Sequence, residues 1–154
     1  MTDDIPGRVE QIYRDQSPRM LRAAYAYARD RAIAEDAVAE AFAQALRREA
    51  EILDVGAWIW RTTFQLATRE LAERRRVGGQ PVEDDYEMGD DALILVEAMA
   101  TLSPKQRASV VLHHYAGFSA REVARITGST TGAVRVHLSV GRRRLREILE
   151  PTDG

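Results

Sequence analysis

Cysteine is absent from the 154 residues, which excludes a disulfide framework, a thiol switch and a thiolate zinc site. Lysine is almost absent as well: Lys105 stands alone against 21 arginines. Nowhere do ~18 apolar residues follow one another, and no apolar segment succeeds a basic start. Neither a membrane-spanning helix nor a secretory leader is therefore expected, and a cytoplasmic location is. Residues 77–97 contain no Lys or Arg but seven of the 24 acidic residues. The formal net charge of −2 thus hides a division, since the rest of the chain holds 22 basic against 17 acidic residues, a net of +5. Segregated charge of this kind suits a polyanionic partner better than the total suggests. No nucleophile–base arrangement and no phosphate-cradling glycine loop is evident, so an enzyme is not expected, nor a cofactor. His113 and His114 are adjacent and point about 100° apart on a helix; no metal site is expected from them.

What the chain does have is most informative in residues 118–149. Ser119 can cap a short helix, with Glu122 three residues on to complete a capping box and Phe118 and Val123 at the staple positions. Val123, Ala124 and Ile126 give that helix an apolar face, and Gly128 supplies a turn. A second period begins at Thr130. Val134, Leu138, Leu145 and Leu149 fall on one stripe, with Gly141 placed where a neighbouring helix could approach closely. Arg135, Arg142 and Arg146 flank that stripe, and Arg143 lies opposite it. A short helix, a glycine turn and a longer basic helix is the layout of a helix-turn-helix DNA reader.

The preceding chain is helical throughout. Residues 6–29 carry an apolar face of Val9, Ile12, Tyr13, Leu21, Ala24, Tyr25 and Ala28, although Pro18 could divide them near Ser17. Asp30 can cap a helix over 31–48, in which Ile33, Ala37, Val38, Ala41, Phe42, Ala45 and Leu46 recur at helical spacing. Glu35, Asp36, Glu40 and Gln44 are left outside. Residues 49–56 read as a loop, and a third helix is expected over 57–76. Trp58 and Trp60 cannot share one face of it, and Trp58 is expected to be the core residue. Residues 77–90 have the glycines, proline and acidic cluster of a flexible linker. A fourth helix is expected over 91–101 on Leu93, Ile94, Val96 and Met99. Ser103, Pro104 and Gln106 then mark the start of a fifth, which Gly117 closes. The expected fold is all-α: one small domain over 1–76, a linker over 77–90 and a second domain over 91–150.

These motifs, in this order, resemble a bacterial RNA polymerase sigma factor of the sigma-70 family, extracytoplasmic-function (ECF) kind. Residues 34–48, AEDAVAEAFAQALRR, are similar to the region-two helix that docks on the polymerase clamp. Residues 57–76, AWIWRTTFQLATRELAERRR, resemble the segment that melts and reads the −10 element. Residues 102–149 resemble region four, the −35 reader. The chain departs from the family pattern at Phe64-Gln65, where Arg-Asn is common, and at Arg69, where an acidic residue is common. Thr127 and Ser129 replace aliphatic residues beside the turn glycine, and His137 replaces a frequent Arg.

The resemblance implies recognition rather than covalent chemistry. It implies core RNA polymerase, through its clamp and flap regions, promoter DNA and an anti-sigma factor as partners, with no membrane insertion. Glu35, Asp36, Glu40 and Gln44 would meet polymerase. Asp54, Trp60, Arg61, Gln65, Arg69, Arg74, Arg75 and Arg76 would serve the −10 element, with residues 49–56 forming the pocket for a flipped base. Asp54 could equally be a helix cap. Ser129, Thr130, Thr131, Arg135, Val136, His137, Arg142 and Arg143 would serve the −35 element. Two other functions fit the same motifs: a helix-turn-helix regulator acting without polymerase, and a sigma-like decoy that titrates an anti-sigma protein.

Overall fold

The computed structural model describes residues 7–78, 94 and 97–150, and these hold helices and turns without a strand. The first three helices form one group. Helix α1 (Arg8–Ala28) runs unbroken through Pro18, which corrects the expectation of a division near Ser17. The helix tolerates losing that one N–H because tertiary packing holds both of its halves: Val9 and Met20, on either side of the proline, are both fully buried. Arg29 ends α1 in the left-handed region at φ 56°, donating its N–H to the Tyr25 carbonyl. Asp30 then starts α2 (Arg31–Arg48), its carboxylate accepting from Ile33 N at 3.0 Å. A 3₁₀ turn (Glu49–Glu51) leads to α3 (Val55–Arg76), capped by Asp54. The sequence placed that start two residues late and read 49–56 as loop throughout.

Alanines line the α1–α2–α3 core. Ala24, Ala34, Ala41, Ala45 and Ala67 are wholly buried, and side chains this small let helix axes approach closely. Phe64, Met20 and Ile59 fill the remaining space. Leu46, expected among the apolar residues of α2, is 61% exposed: at the helix end it overshoots the face that Ala45 completes.

Of the fourth expected helix, residues 94 and 97–99 are helical, 100 and 101 form a turn, and 91–93 and 95–96, together with linker positions 79–90, lie outside the described residues. Met99 is buried there, whereas Ile94 is 53% exposed, contrary to its expected core role. Helix α4 (Pro104–Val110) opens with a complete capping box between Ser103 and Gln106. It passes directly into a π-helical turn (Val111–Tyr115), in which Ala116 N–H reaches back five residues to the Val111 carbonyl at 3.0 Å. This widened turn has no signature in the sequence pattern. Helices α5 (Ala120–Thr127) and α6 (Thr131–Leu149) follow, joined at Gly128, whose φ of 67° suits a residue without Cβ.

The two helical groups share one continuous core. Phe118 meets Trp60 edge-on at 5.8 Å, Trp60 stacks on Phe64 at 6.3 Å, and Phe64 lies 5.2 Å from Tyr27. Arg107 returns from α4 to cover the Tyr27 ring at 5.7 Å and donates to the Tyr27 carbonyl. Tyr115 of the π turn reaches α1, accepting from Arg19 at its carbonyl and from Arg22 at its hydroxyl.

Candidate nucleic-acid interface

Helix α6 is seated by its buried stripe. Val134, Leu138 and Gly141 are buried, and Leu145 packs beside them. Leu149, expected on the same stripe, is 41% exposed in the final turn, beyond the reach of α4 and α5. A Cβ at Gly141 would stand 2.8 Å from Val110 Cγ2, so glycine is what lets α6 lie against α4. At its start Thr130 accepts from Ala133 N at 3.1 Å. In front of it α5 carries a complete Ser119–Glu122 capping box, with bonds of 3.0 and 3.1 Å. Thr127, polar where the family pattern is aliphatic, turns its hydroxyl onto the Val123 carbonyl at 2.8 Å and so adds a bond inside α5.

With the core face fixed, helical geometry puts Arg135, Val136, Arg142, Arg143 and Arg146 on one continuous outward arc. All five are exposed. His137 falls on the other flank and is half-buried. Thr130 is exposed at the helix start, with Ser129 and Thr131 half-buried beside it. This surface presents four guanidinium groups and one apolar side chain, running from the N-terminal turns of the helix to Arg146 in its last turn, the composition needed for phosphate and base-edge contacts. Arg144 is turned away and donates to the Thr101 carbonyl at 3.0 Å.

The expected −10 residues divide into three sets. Arg61, Gln65 and Arg69 are exposed at four-residue steps on the outer face of α3. They line a groove of about 430 Å³ with Gln44 and Arg48 of α2 and Arg125 of α5. Asp54 caps α3 by accepting from Ala57 N at 3.1 Å, and it also lines an adjoining groove of about 430 Å³. At the end of α3, by contrast, Arg74 is engaged by buried Asp30, Arg76 pairs with Glu73 at 2.6 Å, and Arg75 is exposed beside Arg74, away from both grooves.

The tryptophans are the reverse of the expectation. Trp60 is 3% exposed and donates its indole N–H to Gln16 at 2.9 Å, whereas Trp58 is half-buried and lines both grooves under the Arg48 guanidinium. Helical phase is the cause. Ile59, Thr63, Phe64 and Ala67 place the core on the arc that holds Trp60, and Trp58 falls about 160° away. Trp58 and Arg48 therefore join Arg61, Gln65 and Arg69. The phase of Ile59, Thr63 and Ala67 was available in the sequence and would have found Trp58, whereas Arg48 comes from α2. Arg125 was not accessible in that way, because it arrives from the other helical group.

Both grooves are walled on one side by α3; opposite it, Arg125 lines both, and Phe118 and Glu122 line the one that Asp54 borders. The α5 surface thus faces the residues expected to read the −10 element. On α2, Glu35, Asp36 and Glu40 are exposed and Gln44 half-buried. Glu35 pairs with Arg31 at 2.8 Å, and Glu40 accepts from Gln44 at 3.0 Å and Arg47 at 3.4 Å.

On the π turn, His114 lies against His113 with ring centroids 4.8 Å apart, and His113 Nδ1 sits 2.7 Å from the Phe118 carbonyl. Burial first, then the neighbouring His113 and Arg142, lower the His114 pKa below its ordinary value. Among the described residues no helix is long and apolar enough to cross a membrane.

Known proteins share both the sequence and this architecture. Residues 92–145 match the family model for sigma-70 region 4. The RNA polymerase sigma-E factor of Streptomyces antibioticus is 34% identical over 96% of this chain and 77% of its own length. That of Streptomyces coelicolor is 30% identical over 94% of this chain and 87% of its own. Among solved structures, the sigma factor RpoE of Bartonella quintana, in complex with the anti-sigma factor NepR, superposes with a TM-score of 0.74 at 23% identity. That match covers 87% of this chain and 91% of the other. With a region-four match falling on the helix-turn-helix itself and relatives aligned along nearly its whole length, the chain belongs to the sigma-70 family of RNA polymerase sigma factors, in the ECF group.

Proposed function

We infer that this chain is a promoter-specificity subunit: it binds core RNA polymerase and directs transcription initiation by reading a −10 element with α3 and a −35 element with α6. The observation that carries the reading is the outward arc of α6, where Arg135, Arg142, Arg143 and Arg146 surround Val136 on a helix fixed by Gly141 and the Gly128 turn. Arg135, nearest the helix start, is placed to read a base edge, and the other arginines to hold phosphates. Trp58 under Arg48, with Arg61, Gln65 and Arg69 alongside, supplies the apolar surface and positive rim that an unstacked base needs. Glu35, Asp36, Glu40 and Gln44 form the polar face offered to polymerase. The work is binding without a covalent step, and its setting is the cytoplasm.

The packing of α5 over the −10 grooves supports a further element of this reading. Two promoter elements about 25 base pairs apart are separated by ~85 Å at ~3.4 Å per pair. A packed chain of this length is only ~40 Å across, from a radius of gyration of ~15 Å. The helical groups must therefore separate to engage both elements, and a partner that holds them together would silence the protein. The RpoE relative, solved with an anti-sigma factor, favours such a partner here.

Run-off transcription with purified core polymerase and promoter fragments tests the reading. Transcripts that start only when both chain and core are present are the expected result. A footprint by the chain alone at the same fragments would identify a regulator that acts without polymerase. Core binding without any transcript would identify a decoy.

A further inference from the structure

Four guanidinium groups converge on a cavity of about 320 Å³ bounded by the α1–α2 corner, the last turn of α3 and the start of α4. Arg29 comes from the corner, Arg74 and Arg75 from α3, and Arg107 from α4. Asp30 is the single carboxylate among the lining residues. It is 2% exposed, and its two oxygens are occupied by Arg74 and by the N-terminus of α2. The remaining three cations have no acidic partner among the described residues. Arg107, 8% exposed, donates to the carbonyls of Tyr27 and Leu102. The Nε of Arg29 is buried without any acceptor. Burial, opposed in part by Tyr27 and reinforced by repulsion from Arg29 and Arg75, lowers the basicity of Arg107. Burying like charges with donors unused is costly unless an anion supplies the acceptors.

We propose that this cavity binds a phosphate group, held by Arg29, Arg75 and Arg107 where the two helical groups meet. Guanidinium forks match phosphate oxygens in pairs, and three forks can serve a multiply charged group that a lone carboxylate could not balance. The cavity falls within the size range of small-ligand sites. Because Arg29 and Arg75 belong to the first helical group and Arg107 to the second, an occupant joins them and favours their packed arrangement. The phosphate could belong to a small molecule or to a nucleic-acid backbone. The site stands apart from the transcriptional reading, since it rests on charge and cavity alone.

The test uses the full chain with inorganic pyrophosphate as probe, at constant ionic strength set by sodium chloride. Titration calorimetry should show saturable binding, and the unfolding midpoint should rise by about 8 °C at a hundredfold excess over Kd. Arg29→Gly removes one guanidinium at a position whose φ of 56° glycine adopts without strain, so the fold is retained. This variant and Arg75→Gln should each weaken pyrophosphate binding by tenfold or more. A single-stranded 12-nucleotide DNA separates the two sources. If it displaces pyrophosphate and loses affinity in Arg29→Gly, the site takes backbone phosphate; if it does neither, the site takes small phosphate compounds. The proposal is overturned if pyrophosphate gives no saturable heat. It is equally overturned if wild type and both variants shift alike, which is screening by salt.

Discussion

The two helical groups are stabilised by different means. In α1–α3, alanines and a buried aromatic row supply the stability; Asp30 and Asp54 cap α2 and α3, but the first helix starts without any side-chain cap. In the second group α4 and α5 are short, and all three helices begin with a side chain bonded to their own backbone: Ser103, Ser119 and Thr130. Short helices are marginal by themselves, so local bonds at the ends compensate for a smaller core. The first group is made to resist, the second to place one helix accurately.

Substitutions can sharpen or break that contrast. Phe64→Ala should have the largest effect, about 3–5 kcal/mol in urea unfolding, because Phe64 is 2% exposed between Trp60 and Tyr27. A loss below ~1 kcal/mol would mean that the aromatic row is not the support of the first group. Arg135→Ala should lower discrimination between matched and mismatched −35 sequences by about 1–3 kcal/mol with the fold unchanged. Equal weakening on both sequences would make Arg135 a phosphate contact.

Gly141→Ala comes next. The gain in helix propensity, ~1 kcal/mol, is opposed by overpacking of ~1–3 kcal/mol against the stiff side chain of Val110. Net destabilisation is expected, whereas Gly132→Ala, with nothing within 4 Å of the new Cβ, should stabilise the same helix. Thermal unfolding of the pair would show whether contact or propensity governs α6. Ser119→Ala should cost about 1 kcal/mol, and adding Glu122→Ala should cost a further part, since the Glu122 carboxylate accepts from the residue 119 backbone N–H that the first substitution leaves in place.

The smallest effect belongs to His114. Its folded pKa lies below 6.5, so the unfolded chain takes up protons first as pH falls. Its contribution to stability is complete above pH ~6.5 and is lost as pH falls from there through the lowered folded pKa. Urea midpoints at pH 7.5 and 5.5 should differ less in His114→Gln than in wild type. The difference should be small, because the side chain is largely exposed.

What could be read from the sequence follows the same contrast. Caps and turns are local, so Asp30, Ser103, Ser119, Thr130 and Gly128 were all identifiable from a few neighbouring residues. Gly141 was identifiable too, since a glycine on an apolar stripe implies a close neighbour. Phase errors arose where several apolar residues crowd one stretch: the two tryptophans were exchanged because both fit an apolar reading, and only summation over Ile59, Thr63 and Ala67 separates them. The π turn and the wall that Arg125 adds to the grooves depend on contacts distant in sequence, which no local pattern encodes. For the candidate interface, residue types were legible along α6, and the Arg76–Glu73 pair is local, while the engagement of Arg74 by Asp30 required two distant segments to be seen in space.

The aromatic contact between Trp60 and Phe118 acquires a quantitative meaning if polymerase accepts only the separated form. Apparent affinity is then the intrinsic affinity scaled by the fraction of molecules already open. A packed state favoured by ~2.8 kcal/mol leaves about one molecule in a hundred available, and core polymerase would seem a hundredfold weaker as a partner. Residue 118 would then act as a dial on competition among specificity subunits: a smaller side chain there would let the protein capture polymerase at lower concentration, with no change to any residue that touches polymerase or DNA.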